Sequence, residues 1–548
     1  MNLRSVAVLG GGPGGLYVAR LLKLSDPACS VDVYEQSPPE QTFGFGVGLA
    51  TRTQRNLDAA DAASFAEIVE NAWSHEMAMA VGDRRVTLPV GNLIAIGRST
   101  LLDILRRHAE AAGVRIHSGA RVSAGDLDAD LVIAADGVNS TTRGTVFGPE
   151  ISTHRGLYLW CGTEFALPSA VFRPVTTEFG TFVAHAYPYR ADRSTFLVET
   201  DEETWRRAGF DVTTEQTAPD ASDEHSLSYL SKAFHDELQG HPLIGNRTRW
   251  LRFRTVTCSR WSDGNVVLLG DAVHTAHYSI GSGTKLAMED GIALVRALGE
   301  ADDLPTALRR FEGERRPAVE HLQATAHRSM RWWESFPERL HLPVEQLLIA
   351  YMTRAGKVTL DRFAALAPDV VRAGLAQYAG CAPSDVPSED RVDWVLAQPL
   401  PAHKTPRATE PRPAEPRATE PCATEPRATE PRATEPSATE PSATDPGGAN
   451  GWSSRVVDTS GRASLAVDFV DAWGASAEAL LARVRVSAGP VVLSADDARE
   501  AVLTLFDVAE RARREADSVV IARVNRRWAE FAAAALASGR VDLVDLVD

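Results

Sequence analysis

The run "SVAVLGGGPGGLYVARLLKLS", beginning at Ser5, restricts the fold of this chain more than any other segment. Its apolar opening predicts a strand, its glycines a tight turn, and the amphipathic stretch that follows a helix. "VDVYE" then predicts a second strand, so residues 5–35 read as one βαβ unit. The turn carries Gly10, Gly12 and Gly15 at Gly-x-Gly-x-x-Gly spacing, and Glu35 ends the second strand. Glycines at those places let backbone approach a pyrophosphate, and the helix start offers unpaired N–H groups. An acid one strand over can bind ribose hydroxyls. The pattern predicts a dinucleotide site and does not by itself separate FAD from NAD.

Further along, "RSTLLDILRRHAEAAG" predicts a helix opening at Arg98, and "VRIHSG" a strand. "ADLVIAADG" is a buried strand ending at Asp136 and Gly137, with Ser140 and Arg143 just beyond. Residues 155–260 differ: "TEFGTFVAHAYPYR" and "STFLVET" are β-rich and predict an inserted antiparallel sheet. "GNVVLLGD" returns to an apolar strand, ending at Gly270-Asp271. A helical pattern then runs from "GTKLAMEDGIALVRALGEA" to about residue 380.

From about residue 401 the composition changes to a five-residue repeat, x-A-T-E-P. Regular prolines forbid a continuous helix or ladder and favour extended chain, so residues 401–451 read as a disordered linker. Residues 452–548 alternate strand and helix patterns and predict a small α/β module of unassigned role.

A net charge of −16 argues against nonspecific nucleic-acid binding, though not against a local basic pocket. Five scattered cysteines with no C-x-x-C pair fit reduced thiols. No apolar stretch is long enough to span a bilayer, and the first strand follows the N-terminus almost at once. The expectation is a cytoplasmic protein with no nucleic-acid or membrane partner and an open oligomeric state.

In order, the glycine fingerprint, the Asp136-Gly137 turn and the Gly270-Asp271 turn resemble the class A FAD-dependent aromatic hydroxylases of the para-hydroxybenzoate hydroxylase type. The resemblance covers roughly residues 3–375. It implies an α/β fold with a Rossmann-like FAD-binding domain and an inserted antiparallel-sheet substrate domain. The expected monooxygenase is residues 1–380, with FAD-binding parts at about 1–75, 96–150 and 262–380. Its substrate sheet is expected at about 76–95 and 151–261.

By the same resemblance, Asp136 belongs to a cofactor turn and Asp271 contacts the ribityl or pyrophosphate part of FAD. Gly281, Gly283 and Thr284 bring backbone N–H groups to the flavin ring, and Arg98 contacts the cofactor. The family usually has a proline where Ser279 stands and an asparagine where Lys285 stands. With "HYSIGSGTKLAMED", that departure resembles the branch of salicylyl-CoA 5-hydroxylase and anthraniloyl-CoA monooxygenase. "FVAHAYPYRADRSTFLVET" also resembles the violacein-pathway tryptophan hydroxylase.

The branch implies hydroxylation of an aromatic acyl-CoA at carbon 5, para to an ortho hydroxyl or amino group, by a flavin hydroperoxide. NADH or NADPH is the implied reductant and O2 the co-substrate. Salicylyl-CoA, giving gentisyl-CoA, is the first expectation; anthraniloyl-CoA and a tryptophan- or indole-type substrate are the alternatives. His185, Tyr187 and Tyr278 are candidates for assisting deprotonation at the ring. An anionic CoA needs local cations, and Arg252 and Arg254 would share a strand face, with Arg190 and Arg193 in a nearby hairpin. His274-x-x-His277 could ligate a metal, but no third ligand is spaced to complete the site, and a flavin loop explains the same residues. The tail resembles the last units of a reductase barrel, yet is too short for a whole (β/α)8 barrel. A tethered module leaves a distant alternative, a non-catalytic flavin-binding scaffold.

Overall fold

The computed structural model describes residues 3–38, 44–281, 283–401, 454–487, 489–515 and 518–548. The body of the x-A-T-E-P repeat lies outside these described residues. They fall into two compact units, Met1–Gly374 and Leu375–Asp548.

In the first unit, "SVAVL" and "LVIA" are apolar enough to be buried on both faces, and they pair as the centre of a parallel sheet. Its order is Ser262–Asp263, Val266–Leu268, Leu131–Ala134, Ser5–Leu9, Ser30–Glu35, Arg115–Ser118. Only the first pair is antiparallel. Helix Pro13–Ser25 lies close against helix Gly283–Glu300: a Cβ at Gly14 would come within 2.9 Å of the Ala287 Cβ. That crossing carries the glycine turn and the start of the second helix into one neighbourhood.

The second sheet of this unit runs Leu243–Ile244, Pro149–Thr163, Arg193–Thr200, Gly180–Arg190, Ala170–Thr177, Trp73–Val81, Arg84–Gly97, Gly46–Leu49. Leu251–Cys258 also pairs with Pro149–Thr163. The pairing is antiparallel except between Trp73–Val81 and Ala170–Thr177. This sheet starts earlier than the sequence suggests, at Gly46, whose N–H donates to Thr195 Oγ1 at 2.8 Å. The β-rich middle region also contains helices Glu202–Arg207, Phe210–Gln216 and Glu224–Ala233, each short and hence weak in periodicity. They cover the far face of the sheet, where Phe182, Phe196, Phe210 and Phe234 form its core.

The second unit holds a fully parallel sheet whose strands stand in sequence order: Leu465–Val467, Val491–Ala495, Val520–Asn525, Leu543–Val547. Helices Ala475–Arg485, Arg499–Glu515 and Ala529–Ala537 connect them. Chain on both sides of the repeat belongs to this unit. The Arg455 N–H donates to the Leu396 carbonyl at 3.1 Å, and helix Arg391–Leu396 packs on Ala529–Ala537. The repeat therefore leaves and re-enters one unit, a relation that pentapeptide composition cannot express. Among the described residues, no helix is long and apolar enough to cross a membrane.

Candidate functional site

The glycine turn is built for close approach. Gly10 has φ +104°, and a Cβ there would fall 2.3 Å from the Ala135 carbonyl oxygen; at Gly15 it would fall 2.0 Å from the Gly10 oxygen. Gly12 caps helix Pro13–Ser25 without a side-chain bond, and a Cβ there would meet nothing within 4 Å. The first turn of that helix contains no acid, so its N-terminus favours an anion. Glu35 is fixed alongside, its Oε2 accepting from the Gly11 N–H at 2.7 Å and its Oε1 from the Ser37 N–H at 2.8 Å.

Asp136 and Asp271 come to the same side. Asp136 Oδ2 accepts from the Thr142 hydroxyl and the Thr141 N–H, both at 3.1 Å. Its Oδ1 is buried with no hydrogen bond among the described residues. Arg143, 6% exposed, joins the two turns: Nη2 donates to the Val138 carbonyl at 2.8 Å and Nη1 to the Ala272 carbonyl at 3.0 Å.

Gly270 (φ +63°) is held by its own N–H, which donates to Asp290 Oδ2 at 3.1 Å. Asp290, fully buried, also bonds His274 Nε2 and Arg315 Nε, each at 2.8 Å. Burial opposes its charge, but His274 and Arg315 outweigh that and hold its carboxyl below the usual range. His274 is thus a strut for the turn. His277 Nδ1 accepts from the Ser279 N–H at 3.3 Å. Among the described residues, no group of three or more His, Cys, Asp or Glu is placed to hold a metal.

Asp271 keeps open surface yet lies deep among protein atoms, as a cleft-lining residue does. The lost hydration raises its carboxyl pKa, while His274 and then Arg98 pull it down. Arg98 feels the reverse: burial lowers its guanidinium and Asp271 opposes that. At the other end, Gly281 (φ +60°) and Gly283 leave open space where a Cβ would stand, and half-buried Thr284 follows in the first turn of helix Gly283–Glu300. An unclaimed helix start, an orphaned Asp136 oxygen, an open Asp271 and a side-chain-free floor together fit a dinucleotide with a polyol arm.

One face of the second sheet carries a cluster of aromatic rings. Cross-strand register puts Phe172 opposite His185, His185 opposite Leu197, Leu197 opposite Trp160, and Glu199 opposite Tyr158. Opposed residues share a face. Tyr278 meets Tyr158 at 4.9 Å and Phe253 at 5.9 Å between ring centroids, and His185 meets Trp333 at 4.2 Å.

His185 Nε2 approaches Glu199 Oε2 to 3.2 Å. That is an ion-pair contact without hydrogen-bond alignment: His185 Nε2 and Glu199 Oε1 have no hydrogen bond among the described residues. Burial opposes the Glu199 charge, but His185 and the Tyr278 hydroxyl keep its pKa below the usual range. Burial drives His277 down to about 3, so that imidazole is neutral. It also raises Tyr278 well above an ordinary phenol, with Glu199 adding to the effect.

Of the residues singled out in the sequence, His185 and Tyr278 meet at this carboxylate. Tyr187 instead donates its hydroxyl to the Gly46 carbonyl at 2.7 Å and ties down the edge strand. Arg252 and Arg254 are separated by a ladder irregularity, pairing with Leu157 and Thr153 respectively. Arg252 is engaged by Glu202 at 2.9 Å and the Arg155 carbonyl at 2.6 Å; Arg254 donates to Asn139 Oδ1 at 2.7 Å. Glu199 escaped the sequence reading. Its one signal was being the only charged residue in "STFLVET".

A family described as an FAD binding domain matches residues 119–326. The chain is 42% identical to a salicyloyl-CoA 5-hydroxylase of a Streptomyces species, over 60% of this chain and 65% of that protein. It therefore spans just under two thirds of that relative's length. It is 39% identical to a 3-hydroxy-4-methyl-anthranilyl-(aryl-carrier protein) 5-monooxygenase of Streptosporangium sibiricum, over 65% of this chain and 95% of the relative. A protodeoxyviolaceinate monooxygenase of Chromobacterium violaceum is 33% identical, over 64% and 94%. The fold matches a crystal structure of 2-methyl-3-hydroxypyridine-5-carboxylic acid oxygenase with TM-score 0.51 at 19% identity, over 65% of this chain and 98% of that one.

Proposed function

We propose that this chain, which belongs to the class A FAD-dependent aromatic hydroxylases, hydroxylates an aromatic acyl thioester at carbon 5, with salicyloyl-CoA the first candidate and NADH or NADPH the reductant. The observation that carries the ring chemistry is the buried Glu199 carboxylate, one oxygen of which has no hydrogen bond among the described residues, set in a cluster of aromatic rings. An ortho hydroxyl or amino group on the ring gives that oxygen a hydrogen to accept. The two relatives that act at carbon 5, by name on salicyloyl-CoA and on a carrier-protein-bound anthranilyl group, support the same class.

In this reading Gly10, Gly12 and Gly15 admit the pyrophosphate and Glu35 the adenosine ribose. Arg98, Asp136 and Asp271 hold the polyol and phosphate region, and Gly281, Gly283 and Thr284 offer N–H groups to the ring. The flavin, when bound, supplies electron transfer from the nicotinamide and the activation of O2. The protein's part is position and proton handling. Glu199 Oε1 accepts the proton of an ortho hydroxyl, leaving a phenolate that enriches the ring at its para carbon, or accepts a hydrogen bond from an ortho amino group. His185 Nε2, 3.2 Å from Oε2, positions the carboxylate. Neutral His277 and the high-pKa Tyr278 hydroxyl stay unionised beside them.

An anthraniloyl thioester is the second reading, favoured by the Streptosporangium relative that this chain covers almost from end to end. The test compares nicotinamide oxidation by the FAD-loaded protein with salicyloyl-CoA, anthraniloyl-CoA and both free acids. Stimulation by a thioester and little by its free acid supports the reading. Equal response to free acids, or response only to an indolic substrate, overturns it.

A further inference from the structure

Five cations from three stretches of the first unit lie near one another: the 2.8 Å hydrogen bond from Asn56 to Glu289 sets the preceding turns, which carry Arg52 and Lys285, side by side, and Arg354 reaches the Ser279 carbonyl in the loop before Lys285. Arg52 is the second residue of helix Thr51–Ala60, and Lys285 the third of helix Gly283–Glu300. Arg354 and Lys357 follow helix Val344–Thr353, and Arg362 is the third residue of helix Leu360–Leu366. Arg354 is fixed: its Cζ sits 4.0 Å above the Tyr351 ring, Nε donates to Ser329 Oγ at 2.9 Å, and Nη2 to the Ser279 carbonyl at 3.4 Å. The Tyr351 ring in turn packs 4.8 Å from Phe172, next to His185. Lys357 registers the crowding, its ammonium lowered by burial and then by Lys285, Arg362, Arg52 and Arg354.

The arrangement is unfavourable on its own. Helices Thr51–Ala60 and Gly283–Glu300 begin with cations and carry no acid in their first turns, so Arg52 and Lys285 sit at the positive ends of two helix dipoles. Glu289, one turn beyond Lys285, is engaged elsewhere, accepting from Asn56 Nδ2 at 2.8 Å and facing Arg315 at 3.9 Å. Among the described residues, none of the five cations is in an ion pair. In a chain of net charge −16, such a cluster needs an anion. Lys285 and Ser279 are also the two places where the flavin loop departs from the usual family pattern, and both lie at this cluster.

We propose that Arg52, Lys285, Arg354, Lys357 and Arg362 form a site for the phosphates of a phosphopantetheine-borne acyl group, next to the aromatic cluster that Tyr351 joins through Phe172. The site rests on the thioester reading and deepens it: the aromatic end enters between Tyr278 and Trp333 while the anionic end is held by charge. Coenzyme A and a phosphopantetheinylated carrier protein present the same phosphate chemistry.

The test uses the full-length, FAD-loaded protein and its Lys357→Glu and Arg362→Glu variants, both at exposed positions. Binding of free coenzyme A, of phosphate-free pantetheine and of NADH is measured by calorimetry, with the flavin spectrum checking folding. Each charge reversal should weaken coenzyme A by at least about tenfold, in a salt-dependent way, and leave pantetheine and NADH unchanged. Equal weakening of a phosphopantetheinylated carrier domain assigns the shared phosphate to the cluster; weakening of coenzyme A alone assigns the nucleotide phosphates. Unchanged coenzyme A affinity, or a loss confined to NADH, overturns the proposal. Because binding is read without turnover, failure of salicyloyl-CoA to gain oxygen is a separate result.

Discussion

His185 Nε2 stands 3.2 Å from Glu199 Oε2 across two paired strands, among the rings of Phe172, Trp333, Tyr158 and Tyr278. A carboxylate so placed loses hydration and is kept ionised by its neighbours, which in the proposed reading makes its unpartnered oxygen the base for the substrate ring.

Replacing Glu199 with Gln keeps the shape and removes the charge. We expect kcat to fall by about 100-fold, the range of a lost general base, with the flavin still bound. Product formed per nicotinamide oxidised should drop as well. Stopped-flow reduction and product yield together check this, since a purely structural effect would release flavin.

Arg143 clamps the Asp136 and Asp271 turns through three carbonyls. Arg143→Met should destabilise the FAD-binding sheet by about 2 kcal/mol, the cost of stranding acceptors of a buried charged donor. FAD affinity should fall with it. Thermal unfolding with and without added FAD measures both.

Gly15→Ala puts a methyl group 2.0 Å from the Gly10 oxygen. The turn must open to admit it. The expected product is a folded but colourless protein, checked by the ratio of flavin to protein absorbance.

His277 is neutral in the fold, with its pKa lowered from 6.5 to about 3. Between those values the unfolded chain binds the proton and the folded one does not. Stability contributed by this residue is therefore complete above the unfolded pKa and is lost as pH falls below it, by about 1.4 kcal/mol per pH unit. Urea midpoints at pH 7 and pH 5 should differ less in His277→Asn than in the parent.

The parts legible in the sequence were local. Gly10, Gly12, Gly15 and Glu35 stand within one βαβ unit, so spacing alone located the turn that the fold assembles. Arg252 and Arg254 read as one face because alternation assumes an unbroken ladder. The partner strand places three residues, His154 to Gly156, opposite Phe253, and no feature of "LRFRTV" reports that. Glu199 acquires its meaning from Tyr158, His185 and Tyr278, which come from three other segments. The ends of the repeat were illegible for the same reason, since only folding brings Leu396 to Arg455.

The central claim is oxygen transfer to an aromatic thioester. Its most direct test is mass analysis of the product formed from salicyloyl-CoA, reductant and isotopically labelled O2 by the FAD-loaded protein. The account predicts one labelled oxygen on the ring, at carbon 5, with the thioester intact. Reductant consumption that yields only hydrogen peroxide and unchanged thioester, with anthraniloyl-CoA giving the same result, would contradict it.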